Sequence, residues 1–232
     1  MRVLRYVSLL LAVQFIAACS AEPTPSPQPK MEASERAPAP TAEVAGERLV
    51  LAFGDSLYAG YGLGQGQSFP AVLQKQLEGQ GIPARVVNAG VSGDTSAAGL
   101  ARLEFTLEGL PRNPDLAIVG LGGNDALRGL DPAETRRNLD AIVGELDRRG
   151  IPVVITGMMA PRNLGRDYSS RFDAIYSDLA KRYDAALDPF FLDGVITRPD
   201  LLLSDGLHPN AAGIEIMAKR VSPLIVKELR KS

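Results

Sequence analysis

Tryptophan is absent from this sequence, and cysteine and histidine occur once each. A single Cys excludes an intramolecular disulfide, and one Cys with one His makes a poor zinc site. Basic residues form no cluster: 25 Lys and Arg against 27 Asp and Glu leave a formal charge of −2. That balance argues against nucleic acid as a partner. The apolar stretch Val7–Ala18 is too short to cross a hydrocarbon core of about 30 Å as a helix. What is present is an ordinary globular composition, 45% hydrophobic and 22% charged over 232 residues. Such a chain suits one medium domain with accessory segments, and its core needs no covalent staple.

The first residues read as a targeting segment. Arg2 and Arg5 form a positive n-region ahead of the apolar stretch. That stretch runs into Ile16-Ala17-Ala18-Cys19, which resembles the lipobox of bacterial lipoproteins, where cleavage leaves the Cys as an acylated amino terminus. The resemblance implies lipidation of Cys19, and two or more acyl chains give stable anchoring to a membrane. A plain secretory signal is the alternative. From Ser20 to Gly46, six prolines (Pro23, Pro25, Pro27, Pro29, Pro38, Pro40) sit among small and polar residues. Such a stretch has too little apolar surface to order itself and is expected to be an extended, semi-rigid tether. The organisation is therefore read as signal peptide over 1–18, lipidated Cys and Pro-rich linker over 19–46, and a folded domain over 47–232. The expected location is the bacterial cell envelope, facing the periplasm. Ser20 in place of an Asp favours the outer membrane over the inner.

Beyond Glu47, apolar β-branched runs recur at Arg48–Phe53, Ala84–Asn88, Leu116–Leu121 and Val153–Thr156. These read as buried parallel strands. Helical patterns lie between them, near 69–80, 95–108, 132–149 and 169–182, with Asp131-Pro132 as a capped start. A last helix follows Asn210, with Ile214, Met217 and Val221 on one face, and Pro223 is expected to break or kink it. Alternating strands and helices predict a three-layer α/β/α sandwich.

Chemistry gathers after the strands. Gly54-Asp55-Ser56-Leu57 follows the first strand directly, where open α/β sheets place ligands. A serine nucleophile needs a base, and a neutral imidazole serves. Only His208 can supply one, within Asp205-Gly206-Leu207-His208, and Asp205 can fold back to orient the ring. Hydrolysis through a tetrahedral intermediate also needs donors for a developing oxyanion. The backbone N–H of Gly93, the side-chain amide of Asn124 and the N–H of Ser56 are the candidates. Read separately, each of these Gly-rich runs is a tight turn, and Asn124 a turn residue.

Together the blocks resemble the SGNH (GDSL) hydrolase family. In order, they are Gly54-Asp55-Ser56-Leu57, Asn88-Ala89-Gly90-Val91-Ser92-Gly93, Gly122-Gly123-Asn124-Asp125 and Asp205-Gly206-Leu207-His208. The bacterial thioesterase I, lysophospholipase and arylesterase group is the most similar branch. It shares Gly93-Asp94-Thr95-Ser96, Gly99-Leu100-Ala101-Arg102-Leu103 and Leu127-Arg128-Gly129. The resemblance implies a flavodoxin-like sheet of five parallel strands, with Ser56 as nucleophile, His208 as base, Asp205 as orienter, and Ser56, Gly93 and Asn124 as oxyanion donors. It also implies substrate loops at Asp125, Leu127, Arg128, Gly129, Ala160 and Pro161, the first of which moves on substrate binding in similar enzymes. One departure is the small Ala160 before Pro161, where relatives are expected to carry a larger aliphatic side chain.

The expected reaction is hydrolysis of carboxylic esters through an acyl-Ser56 intermediate, without metal or cofactor. Expected substrates are aryl esters, short to medium acyl esters, lysophospholipids and acyl thioesters, taken by a monomer. Deacetylation of envelope carbohydrate is the rival enzyme reading, and a non-catalytic lipoprotein binding module the rival outside catalysis.

Overall fold

The computed structural model describes residues 46–231; the expected signal peptide, Cys19 and the Pro-rich stretch up to residue 45 lie outside the described residues. The chain begins with β1 (Arg48–Gly54), a short α1 (Ser56–Ala59), α2 (Phe69–Gly79), β2 (Ala84–Gly90) and α3 (Ser96–Glu108). It continues with β3 (Leu116–Gly120), a second short helix α4 (Gly123–Leu127), α5 (Pro132–Arg148) and β4 (Val153–Thr156). The last elements are α6 (Arg166–Arg182), β5 (Ala186–Asp188) and α7 (Ala211–Leu229). The five strands form one parallel sheet in the order β2-β1-β3-β4-β5.

Alternation along each strand builds the two cores. Val50, Ala52, Ile118 and Val154 face α2 and α7, meeting Leu73, Leu77, Ile214, Met217, Val221 and Ile225. Leu51, Phe53, Ala117, Val119 and Ile155 face α3, α5 and α6, meeting Leu103, Leu139, Ile142, Phe172 and Ile175. Helices on both faces make the three-layer α/β/α sandwich. Each Val, Leu, Ile, Phe or Met side chain among them, fully removed from water, contributes about 1.5–3 kcal/mol. Local signals fix where the helices begin. The side chain of Thr95 accepts from Ala98 N–H, that of Asp131 from Ala133 N–H, and that of Asn210 from Gly213 N–H.

Pro223 departs from expectation, for α7 runs through it to Leu229. Proline removes one intrahelical bond, but this ring sits on the exposed face. Val221 and Ser222 before it and Ile225 and Val226 after it are all buried, and hold both halves on the sheet.

Three strands end in glycine at one level, with Gly54 in register with both Gly90 and Gly120. There α1 lies across the strand ends. A Cβ on Gly54 or Gly120 would collide with the Tyr58 ring, and one on Gly90 with the backbone of α1. Tyr58 is fully buried, and its hydroxyl is 2.7 Å from Thr156 Oγ1. The glycines thus admit a helix at the carboxyl edge of the sheet, and Ser56 is its first residue.

Candidate active site

Asp55 caps α1, its Oδ1 accepting from Leu57 N–H at 3.0 Å. This starts a helix directly after β1 and lifts the half-buried Ser56 to the surface of the cleft. Ser56 Oγ lies 2.9 Å from His208 Nε2, although 152 residues separate them. The other ring nitrogen, Nδ1, lies 2.7 Å from Asp205 Oδ2. Asp205 Oδ1 accepts from the N–H groups of Leu207 and His208 at 2.9 and 3.0 Å. Those two backbone donors, His208 first, together with the imidazole, hold the Asp205 carboxyl down at about 2. Ionised, the carboxylate only accepts, so Nδ1 carries the proton of the neutral ring. Nε2 then presents its lone pair to the Ser56 hydroxyl, the arrangement needed to take its proton. The ring of Tyr61 packs tilted against His208, with centroids 4.5 Å apart and the planes at 37°.

Two further segments converge here. Val91 to Asp94 form a turn closed by Asp94 N–H to Val91 O at 3.2 Å, with Gly93 at φ +85. A positive φ at the third position of such a turn favours glycine. On α4, entered through Gly122 at φ +103, Asn124 turns its amide back across the sheet edge. Its Nδ2 donates to Asp94 O at 2.9 Å and stands 3.5 Å from Asp55 Oδ2. The cleft is lined by Ser56, Asn124, Leu127, Met158, Leu207 and His208 among others. It opens into an apolar cavity of about 460 Å³, bounded by Leu127, Met158, Ala160, Pro161, Phe190 and Ile196 among others.

Of the residues expected in substrate loops, Leu127, Ala160 and Pro161 line that cavity. Arg128 lies to the side, its Nη2 donating to Gly93 O at 2.8 Å. Asp125 is not a substrate-facing residue, because its side chain is buried. Its carboxylate accepts from Ser96 N–H at 2.8 Å, from Ser96 Oγ at 2.5 Å and from Thr135 Oγ1 at 3.1 Å. A buried carboxylate must be satisfied in this way, and here it pins α4 to α3 and α5. Nor is the segment from Asp125 to Leu130 an open loop. Gly129, at φ +65, donates to Ala126 O, and Leu130 N–H to Asp125 O, which is the double bond of a Schellman helix end.

Two residues that sequence reasoning left without a role prove central to the site's architecture. Arg102 of α3 donates through Nε to Asp94 Oδ2 at 2.6 Å and through Nη2 to Gly54 O at 2.9 Å. It therefore ties the turn carrying Gly93 to the strand end carrying Ser56. Its recurrence in the block Gly99-Leu100-Ala101-Arg102-Leu103 was the available signal. The other is Asp55 itself, which is almost wholly buried. Burial pushes its carboxyl from 3.8 up to about 7, against the lowering effects of Leu57 N–H and His208.

The Asp55 shift has a consequence for stability. Between pH about 4 and 7 the folded state holds a proton on Asp55 that the unfolded chain releases, so unfolding becomes easier as pH rises through that window. Asn at this position keeps the oxygen that caps Leu57 without carrying charge. Asp55→Asn is therefore expected to gain about 2–4 kcal/mol on the parent between pH 4 and 8. Denaturant titration of both proteins at the two pH values measures it, and a constant difference would refute it.

The family profile described as GDSL-like Lipase/Acylhydrolase matches residues 52–216. An arylesterase of Vibrio mimicus is 39% identical over 188 residues, covering 81% of this chain and 92% of that protein. The Escherichia coli K12 protein named thioesterase 1/protease 1/lysophospholipase L1 is 38% identical over 189 residues, covering 80% of this chain and 88% of that protein. The crystal structure of AlinE4, an SGNH-hydrolase family esterase, is 55% identical, with a TM-score of 0.68, covering 80% of this chain and 98% of that one.

Proposed function

The chain belongs to the GDSL-like lipase/acylhydrolase family and is a serine ester hydrolase, and we propose that Ser56, His208 and Asp205 carry its chemistry. The observation that supports this most is the unbroken hydrogen-bonded line from Asp205 through His208 to Ser56, with Asn124 lining the same cleft. Ser56 Oγ attacks the ester carbonyl while His208 Nε2 takes its proton. The carbonyl oxygen, now negative, is met by the N–H of Ser56, the N–H of Gly93 and the amide of Asn124. Collapse expels the alcohol or thiol, which receives the proton from His208, and leaves acyl-Ser56. Water then repeats the attack with the same base and releases the acid.

The substrate is an acyl ester whose acyl chain enters the apolar cavity, with aryl esters, lysophospholipids and acyl thioesters in range. These are the classes after which the similar enzymes are named, and the apolar lining favours acyl chains over acetylated sugars. Ala160 is buried in the wall of the cavity, where a larger side chain would fill space an acyl chain needs. Ala160→Leu is expected to cost about tenfold in kcat/KM on a p-nitrophenyl octanoate, as two methylenes lose their place at about 0.8 kcal/mol each. On the acetate the change should stay within about twofold. A uniform loss across the acyl series would remove Ala160 from the acyl site.

The enzyme acts in the cell envelope, held by lipid on Cys19 and facing the periplasm, at the outer membrane. The lipobox-like Ile16-Ala17-Ala18-Cys19 and the Pro-rich stretch behind it support this. Cys19→Ala should release activity from the membrane fraction or leave an unprocessed precursor. Membrane retention of a processed Cys19→Ala protein contradicts the anchor.

A further inference from the structure

Seven large apolar side chains stand exposed among the described residues, and five of them gather at the catalytic edge of the sheet. Tyr61 follows β1, Val91 follows β2, Leu127 and Leu130 follow β3, and Met159 follows β4. The other two, Phe105 and Ile216, lie on the helices α3 and α7. In a parallel sheet, segments after successive strands emerge at one edge, so the five form a ring around the mouth of the cleft. Tyr61 packs against His208, Leu127 and Met159 border the apolar cavity, and Val91 starts the turn that holds Gly93. Exposed apolar side chains in such an array mark an interaction surface.

We propose that this ring docks on a lipid layer, so that the enzyme takes lysophospholipid directly from the membrane that anchors it. The proposal rests on the reading of Cys19 as lipidated. Three observations choose this occupant. The apolar side chains come from the segments after four strands and stand together at one edge around the cavity mouth, which suits the apolar interior of a layer better than a peptide lying in a groove. The exposed guanidinium of Arg128, with one nitrogen on Gly93 O, stands beside Leu127, and that of Arg162, ion-paired with Asp173 at 2.7 Å, lies near Met159 at the cavity; both face outward where anionic headgroups would meet them. The third is the length of chain from Ser20 to Gly46, which enters the domain just before β1, at the edge opposite the ring. Fully extended, that stretch reaches about 90 Å. A domain of this size has a radius of gyration of about 16 Å, or roughly 40 Å across. The tether is thus long enough for the far edge to turn and face the layer that holds Cys19.

The experiment uses the full-length processed protein reconstituted into vesicles of phosphatidylethanolamine and phosphatidylglycerol that also contain lysophospholipid. Leu130→Ser removes a ring side chain that lies outside the cleft, the cavity lining and the turn that holds Gly93, and Phe105→Ser is the control. Turnover of the vesicle-held lysophospholipid should fall about fivefold or more in the ring variant and stay unchanged in the control. Turnover of soluble p-nitrophenyl acetate should stay within about twofold in both. Flotation of the same vesicles reads the anchor separately, and both variants should float as the parent does. A parent that fails to float overturns the anchor and the docking with it. A parent that floats, with ring variant and control equal on lysophospholipid, overturns the docking alone.

Discussion

Ser56→Ala is expected to lower kcat by about 10⁴-fold or more while leaving the protein folded. The hydroxyl is the only group at this position able to form an acyl intermediate, and the remaining oxyanion donors can assist water only weakly. The side chain contributes little else. Its Oγ bonds to His208 Nε2, it is half-buried, and α1 is capped by Asp55 rather than by Ser56. Unfolding should therefore shift by no more than about 1 kcal/mol. A fluorophosphonate should add one mass increment to the parent, mapped to Ser56, and none to the variant. Full turnover by Ser56→Ala, with label found on another serine, would discard the nucleophile and the acyl-enzyme route together.

The parts of the fold legible in the sequence were those with dense local signals. Of the four apolar β-branched runs, β1, β3 and β4 are buried on both faces, which leaves a continuous apolar string, whereas β2 at the edge of the sheet is only partly buried. The fifth strand carried no such signal. Ala186–Asp188 is three residues at the edge of the sheet, and its buried acid pairs with Arg220 of α7. The short helices α1 and α4 were hidden for another reason. They look like Gly-rich turns, and they are helices because Asp55 caps one and the left-handed Gly122 opens the other.

At the site, the blocks around Ser56, Gly93, Asn124 and His208 could be read because the chemistry demands unusual residue types, and histidine occurs once. Which carboxylate does what could not be read so easily. Asp125 follows Gly122-Gly123 and Asp205 precedes Gly206, yet one is sealed among hydroxyls and the other is partly exposed beside an imidazole. Only the packing of α3 and α5 against α4 separates them. Pro223 makes the same point for the backbone, since a local rule yielded to apolar contacts on both sides of the ring.

Asn124→Ala is expected to cost about 10²–10³ in kcat, or roughly 2.7–4 kcal/mol of transition-state stabilisation. One amide hydrogen is committed, since Nδ2 donates to Asp94 O at 2.9 Å, and this bond fixes the direction of the group. The second approaches Asp55 Oδ2 at only 3.5 Å, a distance too long for a strong bond. It is thus held ready for a better acceptor, and the tetrahedral oxyanion at Ser56 is one. The ground-state carbonyl accepts less strongly, so KM should change little and the loss should fall on kcat. If Asn124 only shaped the start of α4, the variant would instead lose about 1 kcal/mol of stability and keep its turnover. Asn124→Asp sharpens the comparison: it preserves the shape of the side chain but sets a carboxylate against the oxyanion, so it should fall at least as far as the alanine variant. Steady-state kinetics and melting temperature measured on one preparation separate the outcomes. A well-folded Asn124→Ala enzyme with more than about a third of the parent kcat would take Asn124 out of the oxyanion site.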